Sequence, residues 1–306
     1  MKKENDILET TLALAEDGYT GAYRYLLQEY EKETKAFGPQ TLYFLACLAG
    51  GDSRPEQALE WLRKAVAGNS WWYRPEVLED DDLAPLKNDA EFISLKALSD
   101  ARYARAVSGS KALFSWTGRT ADGLFLAVHG NTQNGQTAWE DWAPVLEGGS
   151  WQLETVQSAE PDGYGTYRWS YDMRSCLPVA RAMEQVRDQG YGQIVCGGFS
   201  AGCDMLLRAV LFSSARCDML VLQSPWLPVL EGHEQELVRA LSEKNIALRT
   251  LCGAEDEDCL PMARQLSAAA ERAGLDTRLV IQPGSRHQFP ARPYTLKSLY
   301  ERERPE

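Results

Sequence analysis

The sequence predicts an α/β fold with a mostly parallel sheet, preceded by an all-α region of helical hairpins. Three observations carry this. From about residue 112 onward, short apolar β-rich runs alternate with longer segments of helical spacing, the pattern of strand-helix-strand units with helices on both faces of a sheet. From Asp6 to about Arg105 the apolar spacing is helical, interrupted at Gly18, Gly38, Gly50-Gly51 and Gly68. Between the two, Ser108-Gly109-Ser110 reads as a short flexible linker, so residues 1–107 and 111–306 are expected to be separate domains.

The helical region comes first. Leu8, Leu12 and Ala15 share one face, and Tyr23, Leu26 and Leu27 begin another. Thr41 to Ser70 reads as an αα-hairpin, with Leu42, Leu45 and Ala46 on one helix and Ala58, Leu62 and Ala65 on the next. Those spacings resemble one tetratricopeptide repeat, in which small residues let two helices approach closely. The segment from Trp71-Trp72-Tyr73-Arg74-Pro75 to Phe92 reads as irregular and acidic. The region is expected either to bind a peptide or protein partner, to wall an active site, or only to add core.

In the second region the expected strands are Ala112 to Trp116, Leu124 to Val128, Trp151 to Ser158, Gln193 to Cys196, Met219 to Gln223, Ile246 to Leu251 and Thr277 to Ile281. The expected helices are Thr137 to Leu146, Met173 to Gln189, Cys203 to Leu211, Glu231 to Lys244, Met262 to Ala273 and one from about Tyr294. Pro161 to Tyr171 reads as a loop rich in glycine and aromatics, of the kind that lines apolar pockets.

The motif with most chemical content is Gly198-Phe199-Ser200-Ala201-Gly202, placed between a strand and a helix. A sharp strand-to-helix turn exposes one serine hydroxyl, and the helix start supplies free N–H groups for a developing oxyanion. A serine needs an adjacent base. Of the three histidines, His287 lies in a loop after the last strand, where α/β folds place reacting groups. His233 reads as a solvated residue near a helix start, and His129 ends a strand and leads into Gly130-Asn131. The glycine there lets the chain turn so that the Asn131 N–H, with that of Ala201, can form an oxyanion hole. The acid is expected after the strand ending at Leu251, among Glu255, Asp256, Glu257 and Asp258. Asp256 is the first choice and Asp258 the second. Tyr164, Trp226 and His129 are the expected pocket residues.

With those residues in the order Ser200, Asp256, His287, residues 111–306 resemble the α/β-hydrolase superfamily. The resemblance is strongest to the small carboxylesterase and dienelactone-hydrolase-like group, through Gly253-x-x-Asp256-x-x-x-x-Pro261 and Gly284-x-x-His287-x-Phe289-Pro290. It implies a Ser-His-Asp serine hydrolase acting on a carboxylic ester or related acyl bond, with no cofactor. A peptidase or amidase using the same residues is one alternative, and an interaction protein working through its helices is another.

Composition agrees with a soluble globular enzyme; the expected partner, a small-molecule ester or acyl substrate, comes from the site residues and not from composition. The net charge is −12; residues 1–105 hold 13 Lys and Arg against 19 Asp and Glu, and residues 106–306 hold 19 against 25. Neither part is basic, which argues against nucleic acid and anionic membrane surfaces as partners. Charges at Glu9, Glu16 and Asp17 interrupt any signal-peptide core, and no apolar run is long enough to span a membrane, so a cytoplasmic location is expected. Seven scattered cysteines with no C-x-x-C pair read as reduced, mostly structural thiols, and no metal site is expected from their spacing.

Overall fold

The computed structural model describes residues 4–147, 149–290 and 294–300. Met1 to Lys3 and the residues after Tyr300, included in the sequence reading above, lie outside the described residues. The chain divides into two compact units: residues 1–110 with 161–165, and residues 111–160 with 166–306.

The first unit holds helices α1 (Glu4–Glu16), α2 (Tyr19–Lys32), α3 (Pro39–Gly51), α4 (Pro55–Arg63) and α5 (Ala90–Gly109). Successive helices α1 to α4 pack as neighbours. Leu26, Leu42, Leu45, Ala46, Ala58, Leu62 and Ala65 are fully buried in its core, as their spacing predicts; the expected face of Leu8, Leu12 and Ala15 is corrected, because Leu12 is 49% exposed and α1 packs through Ile7, Leu8 and Thr11. Gly50 and Gly51 are the last two residues of α3, so the expected break between helices falls directly after them. Gly50 is there for close approach, since a Cβ would stand 2.1 Å from the Asp82 carbonyl oxygen. Ser108 and Gly109 form the last turn of α5 rather than a linker. Between α4 and α5 the chain makes short 3-10 turns, Pro75–Glu79 and Asp81–Leu86, that pin Leu78, Leu83 and Leu86 into the core.

The second unit is built on a seven-stranded sheet. After α5 the elements of the chain, in order, are β1 (Leu113–Phe114), β2 (Gly123–Val128), α6 (Gly135–Trp142), β3 (Trp151–Gln157), β4 (Glu160–Gly163), β5 (Thr166–Arg168), α7 (Met173–Arg187), β6 (Gln193–Phe199), α8 (Ala201–Phe212), β7 (Met219–Gln223), α9 (Leu230–Glu243), β8 (Ala247–Gly253), α10 (Cys259–Arg272), β9 (Thr277–Gln282) and α11 (Leu296–Tyr300). The sheet order is β1-β3-β2-β6-β7-β8-β9, with only β1 antiparallel. The short strands β4 and β5 occupy the segment expected as an open loop, and residues 161–165 group with the helical unit.

Strand β2 is buried at all six positions and shows how the layers form. Its side chains alternate between faces. Leu124, Leu126 and Val128 enter one core with residues of α7, α8, α9 and α10, such as Met183, Leu206, Leu237 and Leu266. Phe125 and Ala127 enter the other, with Trp142 of α6 and Leu296 and Leu299 of α11. A sheet covered on both faces needs apolar strands throughout, and β6 and β7 meet that requirement. It also collects the ends of parallel strands β2, β6, β7, β8 and β9 along one edge, where the loops carrying Asn131, Ser200, Trp226, Asp256 and His287 emerge.

Candidate active site

Ser200 is the turn residue between β6 and α8, with φ 51° and ψ −122°. Non-glycine residues avoid positive φ, so this strain is maintained by its surroundings. Its N–H donates to the Gln223 carbonyl at 3.1 Å, and its own carbonyl accepts from Cys203 N–H at 3.0 Å and Trp226 N–H at 3.3 Å. The flanking glycines are required by contact. A Cβ on Gly198 would stand 2.7 Å from Cys203 N, and one on Gly202 would stand 2.5 Å from the His129 and Val128 carbonyl oxygens. Gly202 therefore packs α8 against the end of β2.

That contact brings the loop after β2 to the serine. A Cβ on Gly130 would lie 3.2 Å from Ser200 Cβ. The loop is held by side chains along its length. Gly130 N–H donates to Gln133 Oε1 at 2.8 Å, Asn131 Nδ2 donates to the Tyr171 hydroxyl at 2.9 Å, and Trp169 N–H donates to Asn131 Oδ1 at 2.9 Å. Ala201 opens α8, so its N–H has no acceptor within the helix.

His129 is fully buried and stacks on Trp169 at 4.8 Å. Its Nε2 accepts from Ser158 N–H at 3.1 Å, so Nδ1 carries the proton and donates to the Gly130 carbonyl at 2.6 Å. Burial pushes its pKa down to about 4, and the bond to the Gly130 carbonyl only partly opposes this. Both ring nitrogens are thus engaged inside the protein. The structure places His129 behind the loop, where it sets the loop's path.

Asp256 and His287 meet although they come from different loops. Gly253 lets this happen, because a Cβ there would stand 2.2 Å from the Ser285 carbonyl oxygen. Ala254 N–H donates to Gln282 and Glu255 N–H to Ser285, which clamps the two loops together. His287 Nδ1 lies 2.9 Å from Asp256 Oδ2. Asp256 is 3% exposed, whereas Glu255, Glu257 and Asp258 are all exposed, and Glu255 pairs with Arg286 at 3.6 Å. Burial by itself would raise the Asp256 pKa. Hydrogen bonding and charge from His287, the Cys259 N–H at 3.2 Å and the Ser224 hydroxyl outweigh it and hold the carboxyl below its ordinary range. The carboxylate therefore accepts and Nδ1 donates. The imidazole packs 5.1 Å from the Phe199 ring, one residue before Ser200.

Trp226 is at the cluster, through its N–H on Ser200 and its ring against the group formed by Cys252, Cys259 and Ala263. Tyr164 belongs to the helical unit, where it packs on Trp71 and Trp72 at 6.4 Å each. His233 is half-exposed and paired with Glu236 at 2.9 Å.

Sequence reading missed several supporting residues. Gln223 Nε2 donates to Gln282 Oε1 at 3.1 Å and to the Gln288 carbonyl at 3.2 Å, anchoring the loop of His287. Ser224, also at positive φ (44°), reaches Asp256. Both lie at the end of β7, and that position was the only available signal. Cys259 Sγ sits 3.5 Å from His287 Nδ1.

A strained serine at a helix start, an imidazole oriented by a buried carboxylate, and a rigid adjoining loop with a backbone N–H are the components of nucleophilic acyl transfer. Residues 3–107 match the family described as A/B hydrolase-like, N-terminal domain. The chain matches none of the curated proteins. Among solved structures it is similar to an uncharacterized protein from Bacillus cereus ATCC 10987, at 24% identity and TM-score 0.52 over 95% of this chain and 94% of that one. It is also similar to esterase PE8 (16% identity, TM-score 0.45, 60% of this chain and 92% of that one) and to Zea mays acyl-protein thioesterase 2 (14%, 0.44, 60% and 93%). The mostly parallel seven-stranded sheet and its strand order give the chain the α/β-hydrolase fold, preceded by a helical region similar to the N-terminal domain of A/B hydrolase-like proteins.

Proposed function

We propose that the protein is a serine hydrolase that cleaves a carboxylic ester or related acyl bond through an acyl-enzyme. The observation that carries this reading is the conjunction of Ser200 at φ 51° with the Asp256–His287 pair at 2.9 Å on the same edge of the sheet. His287 Nε2 takes the Ser200 proton as the oxygen attacks the substrate carbonyl. Asp256 holds the ring in the required tautomer and stabilises the imidazolium. The N–H groups of Asn131 and Ala201 receive the oxyanion. The imidazolium then protonates the leaving group, and water, deprotonated by His287, releases the acid and restores Ser200. Each of these groups is supplied by the chain.

Steady-state hydrolysis of p-nitrophenyl esters of increasing acyl length tests this. Ser200→Ala and His287→Ala are expected to lower kcat by about 10⁴-fold or more while leaving the circular dichroism spectrum unchanged. Turnover near wild type in either folded variant would reject the assignment.

A further inference from the structure

The mechanism leaves two thiols unused beside the Asp256–His287 pair: Cys252, whose Sγ lies 3.7 Å from Asp256 Oδ2, and Cys259, which also reaches the imidazole. Cys259, the first residue of α10, is 1% exposed and unpaired, and its Sγ lies 3.5 Å from His287 Nδ1. The donor atoms of Asp256, Cys259 and His287 all lie within 4.8 Å of one another. A tetrahedral zinc ion with bonds of about 2.0 Å to nitrogen and about 2.3 Å to sulfur separates those two ligands by about 3.5 Å. The nitrogen-sulfur edge is therefore at the zinc distance already, and the nitrogen-oxygen edge at 2.9 Å needs to open by a few tenths of an ångström. Thiolate, imidazole and carboxylate form a donor set that favours zinc over magnesium or calcium. His287 is 31% exposed at its side chain, which gives an ion a route to the two buried ligands. Ligands drawn from the loop after β8, the start of α10 and the loop after β9 leave no motif in the sequence.

We propose that Asp256, Cys259 and His287 form an inhibitory site for zinc or a similar thiophilic divalent cation, a reading that rests on the serine hydrolase assignment. Binding forms bonds from the ion to Cys259 Sγ, His287 Nδ1 and an Asp256 oxygen, with water in the fourth position. The thiol proton leaves to solvent, and the Nδ1 proton is replaced by one on Nε2, so a single proton is released in all. Nε2 then has no lone pair for the Ser200 proton, and Asp256 no longer orients the ring. The ion thus shuts off the base without occupying the oxyanion loop.

The test uses the full chain with zinc chloride and, separately, cobalt(II) chloride, whose thiolate complexes absorb in the near ultraviolet. Ester turnover is measured with and without zinc, and the ratio is taken within each protein. Wild type is expected to lose turnover by at least about tenfold in micromolar zinc and to regain it with a chelator. It is also expected to show the cobalt-thiolate band. Cys259→Ala is expected to lose both the zinc effect and the band. His287→Ala, a change in a half-exposed loop, is expected to lose the band as well. An active wild type that zinc leaves unaffected, equal inhibition of Cys259→Ala, or a band that survives either substitution would overturn the proposal. A wild type that cleaves no ester yet shows the band, with loss in Cys259→Ala, would keep the metal site and reject the hydrolase reading.

Discussion

His129 shows how a single side chain links the core to the site. It reads in the sequence as a pocket residue because it adjoins Gly130-Asn131, but it lies inside, with one nitrogen on Ser158 and the other on Gly130. Its protonation has a stability consequence. A histidine held at about 4 in the fold, against an ordinary 6.5, takes up its proton in the unfolded chain first. Stability is therefore expected to fall as pH drops from about 6.5 to about 4, by roughly 3 kcal/mol from this residue, and its contribution levels off below that. Asp256 acts in the same direction: its depressed pKa adds stability above the unfolded carboxylate range, which is lost as pH falls through the folded value. Urea unfolding across this range, in wild type and His129→Gln, measures the effect. A flat profile in wild type would contradict the buried neutral imidazole.

At the scale of elements, glycines decide how closely the parts approach. In an exposed helix, replacing glycine by alanine gains up to about 1 kcal/mol. Gly50→Ala is expected to do the opposite, destabilising by about 1–3 kcal/mol, because the new Cβ meets the Asp82 carbonyl. Denaturant midpoints decide the sign. The strands around the site were legible because each is an apolar run ending in a loop with glycine or a reactive side chain. The exception was β1, reduced to Leu113–Phe114 at the sheet edge. The hairpin β4–β5 was not legible: its glycines and aromatics lack the two-residue alternation of a half-buried strand, and its contacts are made far along the chain, as in the bridge from Tyr73 to Gly163. The approach of Asp256 to His287 could be read from chain order. The roles of Gln223 and Ser224 could not, because they depend on where the loop after β9 folds back.

At the scale of the molecule, the helical unit is not a continuous stretch of sequence. Residues 161–165 belong to it, and Arg74 Nε donates to Asp162 Oδ1 at 2.9 Å, with both groups largely sheltered. Asp162→Ala and Arg74→Ala are each expected to cost about 1 kcal/mol, and the double variant little more than either single one. Thermal unfolding of the four proteins tests this; additive losses would show the pair to be uncoupled. A fragment ending at residue 110 would lack the 161–165 segment altogether. Among the described residues, no helix is long and apolar enough to cross a membrane.

An activated Ser200 hydroxyl can be trapped covalently. The most direct measurement is covalent labelling of the folded chain by a fluorophosphonate, with the adduct mapped by mass spectrometry beside Ser200→Ala. One adduct per chain is expected, on Ser200, absent from the variant. A folded wild type that takes no label, or a label that persists in Ser200→Ala, would contradict it.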